Sequence, residues 1–512
     1  MSTKKISAVL LALFVLATAV SGCGNSGSSS ADSQSGSSAT SENSASSEDT
    51  ASTDGEVPTI SLMVVCGTTP PDADAVAEKL SEITREKIGC NVEFITMEIG
   101  NVAQQLNLLL SGGDDTLDVF MAGISVPYST IVNNGQALSL DTLMEPYAEE
   151  VKTALGEKVY ESGRVNGELY GIGRLLDQAS TTCYNLRRDI AEEFGYKNGD
   201  KVDLAELTEL FGKVREKYPD TPLIGPMNGV PSIGDSRIDS LGNKLGVLDN
   251  YGQDTTVTNY YESAGYEELV GYFKQWKEMG CYMADILNVT DAPIDYIPSG
   301  KAFGCFASHF SAEMNGIWSS QNFGTDIASL QIYEDAVAIT PGAYECINPA
   351  TKNPEAAAAL IYLMATDPDV ENLLINGIEG QHYQVLEDNT ATYVDGKDIS
   401  TTGWCLGYSW TALNSTISIP FEYPADYYDR LLEANKNAQQ SKAFGCQFDL
   451  TGVSDAVSAC TNVVNQYENA LSGGAVEDFD ATLAQFQQGL RDAGIDEIVA
   501  AKQEQLDAFL AG

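Results

Sequence analysis

The chain has 512 residues, with 28 Lys and Arg against 73 Asp and Glu and a formal net charge of −45. A surface of that sign repels phosphate backbones and anionic headgroups, so nucleic acid is excluded and membrane attachment has to be covalent or inserted. With 43% hydrophobic residues, the length predicts two or three packed units rather than a disordered chain.

Lys4 and Lys5 precede an apolar run over residues 6–20, a length suited to a signal peptide and short for a membrane span. The run ends in VSGC, Val20-Ser21-Gly22-Cys23, which resembles the bacterial lipobox, although leucine is commoner where Val20 stands. The resemblance implies cleavage before Cys23 and diacylglycerol on its sulfur, each buried methylene adding about 0.8 kcal/mol to anchoring. Residues 24–56 are Ser-rich, mildly acidic and almost free of large apolar side chains, so they cannot build a core and read as a spacer. Of ten cysteines, nine follow Cys23, and no two form C-x-x-C. Most sit in apolar runs such as MVVCG and FGCFA, which favours buried, reduced thiols. With only His309 and His382 available, a zinc cluster has little support, and no cofactor or metal is expected.

Residues 59–65, TISLMVV, are apolar and rich in β-branched side chains, which predicts a buried strand. After the loop GTTPPDAD, a helix is expected over about 74–87, with Val76, Leu80 and Ile83 on one face. NVEFITM predicts a second strand and LDVFMAG a third, separated by the helix VAQQLNLLLSGG with Gly112 and Gly113 placed for a left-handed cap. The β-α-β-α-β order predicts a parallel sheet with ligand sites beyond the carboxyl ends of its strands. That argument alone selects the loop residues Thr68, Thr69, Ser125 and Tyr128.

Further on, Asn166-Gly167 predicts a turn before an extended segment that reaches Tyr184-Asn185. DLAELTELFGKVREKYP and GYEELVGYFKQWKEMGCY are helical patterns, and Trp276 lies in an apolar stripe, hence in the core. IPSGKAFGCFASHF reads as a turn and a buried strand ending near His309. NPEAAAALIYLMATDP is a helix with Asn353 at its cap and Pro354 at its first position, and DVENLLIN follows with Gly377 closing it. In GIEGQHYQVLED, Gly380 permits a tight turn, and Glu379 either ties that turn or reaches a ligand hydroxyl. WCLGYSW places Trp404, Tyr408 and Trp410 on one face of an extended segment. Three apolar stripes, from Val453, Phe479 and Ile495 onward, close the chain as helices.

Lipobox, Ser-rich spacer, LYGIG…YN, IPSGKAFGCF and INPATKNPEAAAALIYLMATDP occur in that order. Together they resemble the extracellular solute-binding proteins of ABC importers, in the carbohydrate-binding group. The segment from Gly377 and the ending FGCQFDLTGVSDAVSACTNVVNQYENAL resemble a lipoprotein subgroup with its own C-terminal domain. The resemblance implies an α/β, two-lobe periplasmic-binding-protein-like (type II) fold with a central ligand cleft and C-terminal helices. It implies lobe 1 over residues 57–178 and 344–400, and lobe 2 over 179–343 and 401–512, after a signal peptide over 1–22 and a lipid-anchored linker over 23–56. YGIGRLLDQASTTCYN would be the first crossing between lobes and AVAITPGAYECIN the return. Gln178 stands six residues before Tyr184, where maltodextrin-binding relatives carry an acidic ligand contact; His309 stands where they often place a stacking tryptophan. Flat aromatic faces and short polar groups suit sugar binding, so Trp404 and Trp410 complete the candidate set.

The implied function is capture of a small solute, a sugar or oligosaccharide first and a peptide second, by a monomer anchored outside the cell membrane through Cys23. Its partners are the importer's membrane subunits, reached by lobe closure. No G-x-S-x-G in the folded body, no H-E-x-x-H, no P-loop and no G-x-G-x-x-G supports an enzyme. An anchored glycoside hydrolase is the rival, because any pair of the 73 acids could meet in space; a glycan- or peptide-binding adhesin is the third reading.

Overall fold

Strand β1 (Thr59–Cys66) is buried along almost all its length and pairs in parallel with β2 (Asn91–Glu98), from Thr59↔Asn91 to Cys66↔Glu98. In the computed structural model the described residues are 57–511, without 113–115, 177, 228–230, 232, 334–335 and 405–410. The expected signal peptide, Cys23 and spacer therefore lie outside the described residues, as do Cys405, Tyr408 and Trp410.

Strand β3 (Val119–Ala122) joins the other side of β1, also in parallel. A hairpin of β4 (Arg164–Val165) and β5 (Glu168–Leu169) turns at Asn166 and Gly167, both at positive φ, and leads into β6 (Gly171–Gly173). The chain then crosses to a second sheet built on β7 (Ala179–Arg187), with β8 (Gly304–His309), β9 (Ile327–Gln331) and β10 (Val337–Ala338) all antiparallel to it. It returns as β11 (Tyr344–Ile347), which completes the first sheet in the order β2-β1-β3-β11-β6. β12 (Tyr383–Val385) and β13 (Ala391–Tyr393) form a separate ribbon, and β14 (Gln439–Gln440) adds to β10.

Each sheet carries its own core. The first is faced on one side by the helices Ala73–Lys87 and Pro354–Thr366, around Leu62, Val64, Leu80 and Leu360. On its other side Val65, Phe120 and Tyr344 pack with Leu106 and Ile131. The second core gathers Tyr184, Phe211, Phe306 and Trp276, and it extends into the terminal helices Ser454–Ser472, Phe479–Asp492 and Ile495–Leu510. The observed architecture is thus the two-lobe α/β fold that the sequence implies. Trp276 is fully buried, and its indole N–H donates to the Thr208 hydroxyl at 2.8 Å. The eight described cysteines after Cys23 are free and buried, as their apolar flanks predict.

Three details differ. Gly112, the C-cap of the helix Val102–Ser111, has φ −79°, an ordinary helical value, while Gly113 lies outside the described residues. Asn353 makes no side-chain cap, although Pro354 occupies the first position as expected; the next helix, Pro368–Asn376, is capped by the Asp367 carboxylate. The lobe boundary at residue 400 falls too early, since Trp404 and Leu413 pack in the first core and the Val65 N–H donates to the Thr411 hydroxyl at 3.2 Å. No described helix is long and apolar enough to cross a membrane.

Candidate functional site

Sheet register places the site. In lobe 1, β1, β2 and β3 end on one edge, where antiparallel β11 begins at Tyr344 and β6 ends opposite it at Gly173. In lobe 2, the amino end of β7 lies beside His309 at the end of β8 and Ala338 at the end of β10. Residues 174–178 and 339–343 join these two edges directly. Five residues span at most about 17 Å, so each crossing holds the loop edges of the two lobes face to face. Such a crossing can absorb a change of backbone angles while both sheets stay rigid, which is the structural requirement of a hinge.

Beside the crossings is a cavity of about 420 Å³. Gly123, Pro127 and Tyr128 line it from lobe 1, residues 239–243 from lobe 2, and residues 339–342 from the return crossing. Its floor is the stacked pair Tyr128 and Tyr344, with centroids 4.1 Å apart. The Tyr128 hydroxyl donates to the Gly163 carbonyl, and Gln447 donates to the Tyr344 hydroxyl at 2.7 Å. Short polar groups above flat rings suit a polyhydroxylated ligand.

Among the described candidate residues, Tyr128 alone lines this cavity. Thr68, Thr69 and Ser125 are exposed on the lobe 1 edge, and half-buried His309 stands on the opposed edge of lobe 2. The Ser311 N–H points at His309 Nδ1 at 3.4 Å, and burial pushes the imidazole pKa down to about 4, so the ring is neutral. Gln178 sits in the first crossing, where its amide oxygen accepts from Asn435 at 3.0 Å and its backbone carbonyl accepts from the Ile339 N–H. That side chain braces the hinge. Glu379 is exposed on the turn behind the Thr68 loop, away from the cavity lining. Trp404 is buried, stacks on Phe94 at 5.7 Å and donates to the Leu374 carbonyl, so its indole is a lobe 1 core group. Trp410 lies outside the described residues. Sequence reading missed residues 239–243, Gln447 and Phe448 in the cavity wall. The closely spaced Gly242 and Gly246 were the available signal, because both adopt positive φ.

His382 has a definite structural task. Its Nδ1 accepts from the Ile378 N–H at 2.8 Å, which leaves Nε2–H to donate to the Asp72 carboxylate at 3.0 Å. This clasp fixes the loop after β1 to the turn that ends the lobe 1 helices. Gly377 is obligatory there, with φ +78° and with His382 and Trp404 filling the space a Cβ would need. Donation from His382 and Gln381 holds the Asp72 carboxyl below its ordinary range, while burial holds His382 below that of imidazole. His382→Ala orphans a backbone N–H and opens a cavity, and should cost about 2–4 kcal/mol. The urea midpoint of unfolding reads this directly.

Three ionisable groups are buried where the first crossing leaves lobe 1. Arg174 follows β6, Glu345 lies on β11, and Glu371 on the helix Pro368–Asn376 accepts from the Leu413 N–H at 3.0 Å. Neither Glu345 oxygen has a hydrogen-bond partner among the described residues. Burial pushes both carboxyls up to about 8, with the Arg174 charge opposing the shift. Both are therefore largely protonated near neutral pH, as an isolated buried carboxylate must be.

The two cores, the paired crossings and the cleft between facing loop edges define a two-lobe α/β fold with a central cleft. Similar proteins share that architecture. Over 474 residues the chain is 23% identical to a "Carbohydrate ABC transporter substrate-binding protein" of Streptococcus pneumoniae serotype 4 (strain ATCC BAA-334 / TIGR4), covering 90% of this chain and 92% of that protein. The crystal structure of the N-glycan transport solute binding protein NgtS from Streptococcus pneumoniae matches with a TM-score of 0.74 at 20% identity, covering 89% of this chain and 99% of that one. Its complex with Man1GlcNAc matches with a TM-score of 0.68 at 21% identity, covering 89% and 100%. Residues 442–511 match a family model described as a domain of unknown function, DUF3502.

Proposed function

We propose that this chain is a lipid-anchored, cell-surface binding protein that captures an oligosaccharide between its lobes and delivers it to an ABC importer. The observation that carries the reading is the pair of five-residue crossings that set two loop edges face to face beside a cavity of about 420 Å³. Such a hinge lets a ligand select the closed form by contacting both lobes at once. Thr68, Thr69, Ser125 and Tyr128 supply contacts from lobe 1 and His309 from lobe 2, with Trp410 as a further aromatic face and Gln178 steadying the hinge. A mannose- and N-acetylglucosamine-containing glycan is the first candidate, because NgtS, a relative of similar fold, is described in complex with Man1GlcNAc. The acidic surface attracts no anion, which fits a neutral ligand and covalent anchoring through Cys23.

The test is thermal unfolding against a panel of mono- and oligosaccharides that includes Man1GlcNAc. A ligand of the native state adds RT ln(1 + [L]/Kd), about 2.7 kcal/mol at a hundredfold excess over Kd. The expected result is a raised midpoint with the sugar recovered intact. Release of reducing sugar would instead support the glycoside hydrolase reading. Binding without loss of sugar uptake in cells lacking the chain would support the adhesin.

A further inference from the structure

The lobe 2 wall of the cavity is held by a side chain that never reaches the cavity. Lys502 lies on the terminal helix Ile495–Leu510 and is fully buried. Its ammonium donates to the Leu241 carbonyl at 3.0 Å, the Gly246 carbonyl at 3.1 Å and Asn243 Oδ1 at 2.7 Å. All three acceptors belong to one loop, residues 239–246, so every hydrogen-bond contact of Nζ is made there. The outer part of that loop, residues 239–243, is the wall that faces Gly123 and Tyr128.

The backbone explains why the loop needs such a partner. Leu241 has φ +44° and Lys244 φ +58°, alongside Gly242 at +91° and Gly246 at +105°. A left-handed residue other than glycine costs about 1–2 kcal/mol and persists only where its surroundings over-determine it. Local bonds contribute: Asp239 Oδ1 accepts from the Leu241 N–H and Asn243 Oδ1 from the Leu245 N–H, both at 3.0 Å. The Asp239 and Leu248 backbones pair across the base of the loop, and Lys502 adds a side chain that binds the Leu241 and Gly246 carbonyls at once. Its aliphatic stem lies within 3.2 Å of where a Cβ on Gly246 would stand, so the fit is close as well as polar.

We propose that Lys502 is a positioning residue for ligand recognition: through it the C-terminal helical domain sets the conformation of the lobe 2 cavity wall. This deepens the solute-binding reading and rests on it. The domain matched by the family model of unknown function would then act as a template for the binding surface, in addition to its packing on the lobe 2 core.

The test compares Lys502→Met, Lys502→Arg and Ile498→Ala in the full folded chain. Ile498 is a fully buried residue of the same helix in the lobe 2 core, and its aliphatic side chain makes no hydrogen bond to the loop, so its truncation destabilises while leaving the Lys502 bonds in place. Without ligand, hydrogen exchange of residues 239–248 should quicken at least tenfold in Lys502→Met, stay near wild type in Ile498→Ala, and recover in part in Lys502→Arg. Affinity for Man1GlcNAc, or for whichever sugar of the panel binds, should fall on the order of tenfold in Lys502→Met, because the wall must be ordered on binding. It should change little in Ile498→Ala. Unchanged loop exchange in Lys502→Met overturns the proposal, as does an equal loss of affinity in Lys502→Met and Ile498→Ala. If no sugar binds wild type, the solute-binding reading fails, while the exchange comparison still decides whether Lys502 holds the loop.

Discussion

Replacing Gly123 by alanine is expected to destabilise the fold and to abolish tight ligand binding together. Gly123 ends β3 at φ +105°, and its N–H donates to the Val126 carbonyl to close the loop that carries Ser125. A methyl group there would overlap the carbonyl oxygen of Gly342 in the return crossing. Both neighbours are backbone, so no side-chain rotation relieves the clash. The left-handed conformation and the overpacking together should cost about 2–5 kcal/mol. Relief requires the lobe 1 loop and the hinge to move apart, which widens the cavity at its lobe 1 wall. The expected measurement is a lowered thermal midpoint with no ligand-induced rise at sugar concentrations that saturate wild type. Gly89→Ala, at φ +71° with nothing within 4 Å of the added methyl and outside the cavity lining, serves as a milder control of left-handed strain alone.

Stability should fall as pH rises from mildly acidic to mildly alkaline values, and Glu345→Gln should flatten that fall. Glu345 and Glu371 have carboxyl pKa values pushed up to about 8, chiefly by burial. Between the ordinary carboxyl range and about 8, the folded chain binds more protons than the unfolded one. Stabilisation by the protonated carboxyls is therefore complete at acidic pH and is lost as pH rises toward 8. Glutamine keeps the shape without the ionisation, so the Glu345 share of the pH dependence disappears. Thermal midpoints from pH 5 to 8.5 should decline in wild type and much less in Glu345→Gln, which should be the more stable variant at pH 8.5. Because the pair sits where the first crossing meets lobe 1, ligand affinity should follow the same direction.

Periodicity made the lobes legible. Continuous apolar runs marked β1 and β3, alternating with amphipathic helices, and the parallel pairing of β1 with β2 and β3 followed from that pattern, whereas β11 and β6 join the sheet antiparallel. The loop positions followed from strand polarity, and Thr68, Thr69 and Ser125 lie on the lobe 1 edge next to the crossings. What stayed hidden depends on contacts between distant residues. His382 is clear of a second His or Cys in sequence, yet its partner Asp72 lies 310 positions away. Trp404 alternates with other aromatics as a surface strand would, but Phe94 and the Leu374 carbonyl claim both its face and its N–H. Residues 239–246 carry no periodicity, and Lys502, which binds them, stands at the far end of the chain.

Lobe closure on a sugar is the centre of this account, and small-angle X-ray scattering tests it most directly. With a saturating amount of the sugar that raises the thermal midpoint, the radius of gyration should fall and should recover when the sugar is removed. A radius unchanged by a sugar that demonstrably binds would contradict capture between the lobes.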